Sequence, residues 1–112
     1  MEYKKHLSEP WFSLVKLNIK TIEGRLNKGD FNKMKVDDFI IFYNEDFNYR
    51  EIKVKVTKIN KFKSFEDYLR KETIKRCLPG FKSINDGLDV YYKYFTKQQE
   101  KDYGIVSIHL KV

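Results

Sequence analysis

Cysteine is nearly absent from this chain. Cys77 is the only one, so no intrachain disulfide can form and a zinc site built on several thiolates is excluded. Histidine is almost as scarce. With only His6 and His109, a multi-histidine metal centre cannot be assembled, and no cofactor is expected. The five glycines are scattered, and none opens a GxxxxGK or GxGxxG run that would cradle phosphates. No apolar run approaches the ~20 residues of a bilayer span. The opening Met-Glu-Tyr-Lys-Lys-His also lacks the apolar core of a cleaved leader. The expectation is a protein of a reducing, cytoplasmic compartment with no membrane partner. No repeat or Ser/Gly linker divides the 112 residues, so residues 1–112 read as one domain, expected to be a monomer.

What is abundant is positive charge and aromatic rings. Lys plus Arg number 23 against 16 Asp plus Glu, a net charge of +7, and such a surface attracts polyanions, nucleic acid above all. An AT-rich coding sequence also yields lysine-rich chains without that purpose. Eight Tyr, nine Phe and one Trp exceed what a small core needs. Rings left exposed can stack on bases.

The elements follow from periodicity and caps. Tyr3 to Leu7 reads as a short strand. Ser8 is expected to cap a helix with Pro10 in its first turn and Trp11, Phe12, Leu14 and Val15 on its face. Ile19 to Leu26 has strand character, Lys28-Gly29-Asp30 marks a turn, and Val36 to Tyr43 reads as a buried strand. Ile52, Val54 and Val56 alternate with Lys53, Lys55 and Thr57 in a half-buried strand. Ser64 caps a helix through about Lys71, followed by a short turn to Cys77 that Pro79-Gly80 stops. Ser83 starts a helix presenting Ile84, Leu88, Tyr91 and Phe95. Thr96-Lys97-Gln98-Gln99 has the capping-box pattern, and Gly104 precedes a closing strand in which Val106, Ile108 and Leu110 alternate with Ser107, His109 and Lys111. Strands interrupted by helices without βα alternation argue for α+β, with a late strand returning to the first in a curled sheet or barrel. Ser107 and His109 share a strand face that reads as solvated, so a hydrolase triad is not expected. Cys77 beside Arg76 reads as a buried, inert thiol.

The segment from His6 to Arg25 is the most distinctive. His6-Leu7-Ser8-Glu9-Pro10-Trp11 runs into the first helix, and Ile19-Lys20-Thr21-Ile22-Glu23-Gly24-Arg25 follows it. This pattern resembles the ASCH domain, a branch of the PUA-like fold, whose signature is a Pro-aromatic helix start and then Gly-x-Lys-Thr-x-Glu-x-Arg. Asn18 stands at the glycine position and also tolerates the left-handed conformation of a helix end. The Lys35 to Asp38 turn, the strand around Val54, the Ser-Phe-Glu helix start and the Tyr-Gly before the last strand extend the likeness over nearly the whole chain. The resemblance implies a PUA-like β-barrel of about five or six strands with flanking short helices and a cleft near the first helix. It further implies an RNA-related role. Some members bind nucleic acid, one bacterial group deacetylates acetylated cytidine nucleosides, and some are reported as ribonucleases. The deacetylating group uses a Lys, a Thr three residues later and a distant Glu. Lys20 matches, Glu23 stands at the Thr position, and Glu66 and Glu72 fall in the broad region of the last without its motif.

Lys20, Glu23 and Arg25 place one acid between two cations. At a cleft, Glu23 would be held ionised and would orient the Lys20 ammonium, so these two are the candidate catalytic groups. The same three residues could equally form an ion-pair network tying the first helix to the barrel. Strand alternation puts Glu23 and Arg25 on one face, and Lys20 joins them only by preceding the regular strand or through a bulge. Ser8, Trp11 and Thr21 complete the expected cleft, although Trp11 at helical spacing also suits the core. Lys53 and Lys55, continuing to Lys58, Lys61 and Lys63, form a basic ribbon beside Tyr43 and Tyr49, suited either to phosphates or to a solvated edge. The leading expectation is binding of RNA, other single-stranded nucleic acid or a modified nucleoside by Lys20, Thr21, Glu23, Arg25, Ser8, Trp11, Tyr43, Lys53 and Lys55. The alternative is a metal-independent hydrolase at the same cleft.

Overall fold

Five strands form in the computed structural model, which describes residues 1–112: β1 (Glu2–His6), β2 (Ile22–Leu26), β3 (Phe39–Asn44), β4 (Arg50–Phe62) and β5 (Ile105–Lys111). Six short helices join them: α1 (Trp11–Lys16), α2 (Asp30–Lys33), α3 (Phe65–Glu72), α4 (Ile74–Cys77), α5 (Ile84–Tyr92) and α6 (Lys97–Tyr103). The fold is α+β, as the element order predicts. The strands make one sheet in the order β1-β3-β4-β5-β2, curled into a half-barrel. β1 runs parallel to β3, and every other pairing is antiparallel. The closing strand does not return to the first. β5 lies between β4 and β2, so β1 and β2 are the two edges and the barrel stays open between them. Arg25 reaches across that gap, its Nη2 donating to the His6 carbonyl at 3.2 Å. No helix is long and apolar enough to cross a membrane.

Several local expectations change in the folded chain. Ser8 is not the N-cap of α1. Pro10 holds that place after a cis Glu9–Pro10 bond, and the Glu9 carboxylate accepts from the Ser13 backbone N–H at 2.9 Å and from its hydroxyl at 2.6 Å. Trp11 is therefore the first helical residue. α1 ends in a Schellman motif: Asn18 is left-handed at φ 60°, its N–H donates to Val15, and the Ile19 N–H donates back to Leu14. That turn throws the chain out of the helix, and β2 begins only at Ile22 rather than Ile19. β3 likewise starts late, because Lys35 to Asp38 close a turn with Asp37 left-handed at φ 78°. The helix caps at Ser64 and Ser83 and the Thr96–Gln99 capping box form as read. Gly104 then turns α6 into β5 at φ 72°, where an added Cβ would meet the Phe62 carbonyl at 3.1 Å.

The core fills the sheet's concave side with Phe12, Val15, Ile40, Phe42, Val54, Val56 and Ile108. β5 is covered on both faces and every residue from Ile105 to Leu110 is buried. Ser107 and His109 thus do not face solvent. α3 lays Glu72 over them, and its carboxylate Oε2 accepts from Ser107 Oγ, from Asn60 Nδ2 at 3.0 Å and from His109 Nε2 at 2.8 Å. Both Ser107 and His109 bond to the acid and not to each other, which is no nucleophile–base pair.

Candidate functional site

The chain from Ile19 to Leu26 decides the site. The Schellman turn delivers Lys20 ahead of the regular strand, which resolves the parity conflict: Lys20 Nζ lies 3.3 Å from Glu23 Oε1, and Arg25 Nε donates to Glu23 Oε2 at 2.9 Å. Lys20 is only 1% exposed. A buried ammonium is tolerable only when its hydrogens are satisfied. Here they are: Nζ donates to the Ile22 carbonyl at 2.6 Å and to the Cys77 carbonyl at the end of α4, with Glu23 as the third partner. The indole of Trp11 lies 5.7 Å from the same nitrogen.

Burial pushes the Glu23 carboxyl up, but the Lys20 ammonium and the Arg25 guanidinium outweigh it and hold the group below its ordinary value of 4.5. Glu23 is therefore a carboxylate at neutral pH. Each oxygen serves one cation, and a carboxylate has about four acceptor positions, so lone pairs remain for a ligand. Arg25 is the more open partner, with its side chain 23% exposed and Phe31 against its guanidinium.

These groups border a cavity of about 430 Å³. Lys20, Glu23, Gly24 and Arg25 supply one wall, and His6, Leu7, Ser8 and Trp11 supply the next. The third wall is Leu78 with Val90, Tyr91, Tyr94 and Phe95 from α5 and the turn after it. The Ser8 and Tyr94 hydroxyls face each other at 3.5 Å. The Tyr91 hydroxyl pairs with that of Tyr68 at 2.8 Å, and burial raises both phenols well above 10.0, so each stays neutral. Gly24 makes room for this pair, since a Cβ there would lie 2.4 Å from Tyr68 Cζ.

The role of tying α1 to the sheet falls elsewhere. Arg50 Nη2 bonds Glu9 at 3.0 Å and Asn44 at 2.9 Å, while Asn44 Nδ2 donates to the Leu7 carbonyl at 3.0 Å. Lys20 instead pins α4 to the start of β2. Burial pushes the Cys77 thiol up to about 11, so it stays a protonated thiol at neutral pH and is no activated nucleophile.

Of the residues expected at the site, Ser8, Trp11, Lys20, Glu23 and Arg25 line the cavity, and Thr21, Tyr43, Lys53 and Lys55 do not. Thr21 is held by its backbone, donating to Arg76 and accepting from Leu110. Tyr43 lies on the outer sheet face, edge-on to His6 at 5.4 Å and stacked on Tyr49 at 6.0 Å. Lys53 pairs with Glu2 at 2.6 Å and Lys55 with Asp37 at 3.3 Å. The wall from α5 was not legible as a site, because Tyr91 and Phe95 sit at core spacing. Tyr94 was the available signal, a ring beside that face and 58% exposed.

A family model described as the ASCH domain matches residues 6–112. The chain is similar to the crystal structure of a hypothetical protein, PH0355, at 38% identity, covering 99% of this chain and 98% of that one with a TM-score of 0.90. It is also similar to the solution NMR structure of protein PF0455 from Pyrococcus furiosus, at 37% identity over 99% of this chain and 96% of that one, with a TM-score of 0.80. No curated protein matches it.

Proposed function

The chain belongs to the ASCH domain family, and from that premise we propose that it binds an unstacked base of RNA, or a modified nucleoside, in the cavity between α1, β2 and α5. The observation that carries this reading is an ionised carboxylate with spare acceptor positions at the wall of a cavity otherwise rich in aromatic rings. A volume of about 430 Å³ lies within the range of small-ligand sites. Trp11, Tyr94 and Phe95 offer faces for a base, Glu23 accepts from a base N–H, and the free Arg25 donors meet a carbonyl or a phosphate. The curled sheet with helices at its side also supports placing the chain in the PUA-like superfamily.

The hydrolase reading at the same cleft draws less support. Lys20 has its hydrogens on two carbonyls and on Glu23, leaving none for a substrate. The residue three positions later is an acid instead of a hydroxyl. Lys20 is then a positioning residue that fixes Glu23.

Trp11 is the single tryptophan and lines the cavity, so its fluorescence reports binding directly. Titration with nucleosides, acetylated cytidine and short single-stranded RNA should change that signal in a saturable way. Tyr94→Ala, at an exposed position, should weaken binding about tenfold, the loss of one modest stacking contact. A signal unmoved by every nucleoside and RNA at low salt would sink the proposal. Release of acetate abolished by Glu23→Gln would transfer the site to the hydrolase reading.

A further inference from the structure

The net charge of +7 is not spread evenly. On the outer face of β1, β3 and the first half of β4, each lysine has its own acid: Lys4 with Glu51 at 3.3 Å, Lys53 with Glu2 at 2.6 Å and Lys55 with Asp37 at 3.3 Å. That part of the lysine ribbon is electrically neutral.

The situation changes at a bulge. Val56 pairs with Leu110 and Lys58 with His109, so Thr57 is an extra residue in β4. Strict alternation would put Lys58 on the inward face with Val54 and Val56. The bulge turns it outward beside His109. Lys111, two residues along β5 from His109, shares that face, and Arg76 arrives from α4 with Nη2 3.5 Å from His109 Nδ1. Lys58, Arg76 and Lys111 are all exposed, and none forms an ion pair. The acid beneath them, Glu72, is buried and already accepts from Ser107, Asn60 and His109. The patch and the cavity lie on opposite faces of the β5–β2 pair, Lys58 and Lys111 on the His109 face and Glu23 and Arg25 on the Ile108 face, and the end of α4 reaches both. The Arg76 carbonyl accepts from the Thr21 N–H at 3.2 Å, the Cys77 carbonyl holds Lys20, and Leu78 is a cavity wall.

We infer that Lys58, Arg76 and Lys111 hold the phosphates of a single-stranded nucleic acid whose base enters the cavity, so the partner is a strand and not a free nucleoside. The inference rests on the reading of the cavity as a base site and adds the track that leads to it. Three cations without ion pairs, two on the sheet and one on α4, attract a polyanion and orient it, while the cavity reads the base.

The test measures affinity for an end-labelled single-stranded RNA of about ten nucleotides across a salt series, with DNA of the same sequence alongside. Each lost single-strand phosphate contact lowers the salt slope by about 0.7, so K58A/K111A should lower it by about 1.4. The double variant leaves Arg76 and its contact with His109 in place, and its melting temperature should match the parent. K53A/K55A should leave the slope unchanged. Nucleoside binding, followed by Trp11 fluorescence, should survive in K58A/K111A. An unchanged slope in K58A/K111A with intact nucleoside binding overturns the track alone. Equal losses in K53A/K55A overturn its location, and polyglutamate binding as tight as RNA overturns the assignment to a nucleic acid. Loss of the nucleoside signal in the parent protein is the separate failure that strikes the cavity.

Discussion

Glu23 is where a single side chain carries most consequence. It is 5% exposed and neutralises a lysine that is 1% exposed, so Glu23→Gln leaves a buried ammonium with only carbonyl partners. Removing one member of a buried pair costs about 3 kcal/mol, and urea denaturation should show a loss of that order. The pH dependence follows from the direction of the shift. The folded carboxyl titrates below its ordinary 4.5, so its stabilisation is complete above that pH and disappears as pH falls through the lower folded value. Glu72 acts in the same direction: burial raises its carboxyl, yet the hydrogen bonds from Ser107, Asn60 and His109 leave it lowered. Melting temperatures from pH 7 down to pH 3 should fall less steeply in Glu23→Gln than in the parent. A parallel pair of curves would remove Glu23 from the acid transition.

At the scale of elements, the turn after α1 has the largest effect on the site. Its two back-donating N–H groups and the left-handed Asn18 end the helix and lift Lys20 out of strand register. Asn18→Ala forces a Cβ-branchless but chiral residue into φ 60°, a conformation costing about 1 kcal/mol, whereas Asn18→Gly relieves it. Thermal unfolding should therefore rank Gly at or above Asn and Ala below both, and the Ala variant should also bind nucleoside less tightly if the turn positions Lys20. The bulge in β4 is a second element-level device. One additional residue moves Lys58 from the core face to the surface, so charge placement along β4 cannot be read from alternation alone.

For the molecule as a whole, β5 is the keystone of the sheet. It joins β4 to β2, is buried from Ile105 to Leu110, and places Ser107 and His109 under α3. β2 has no other strand partner. Without β5 it is held only through α4 and side chains, and its Glu23 and Arg25 lose the backbone that aims them. Removal of residues 105–112 should abolish the cooperative unfolding transition and the dispersed amide spectrum, not merely lower the melting temperature. A folded truncated chain would show that the remaining strands suffice.

Much of the fold was legible locally. The β-branched and aromatic run of β3, the apolar alternation in β4 and β5, the serine caps of α3 and α5, and the Thr96 capping box depend on neighbours a few residues away, and that information is linear. So is the left-handed tolerance of Asn18. Where local reasoning failed, a distant partner intervened. Ser8 lost its capping role to Glu9, whose carboxylate is also held by Arg50 from β4. His109 was read as solvated because its cover, Glu72, comes from another element.

By itself, then, the amino-acid order determined the five strands and the longer helices, though not α2, together with the α+β class and the Lys20, Glu23 and Arg25 set. These depend on spacing, caps and residue type. Only the tertiary structure decided that Lys20 turns inward to the Ile22 and Cys77 carbonyls, that α5 supplies the opposite wall of the cavity, and that Lys58, Arg76 and Lys111 meet around His109. Each of those outcomes is a contact between segments far apart in the chain. It is selected by where a buried charge can be satisfied and where a packed ring leaves space, which no local pattern encodes.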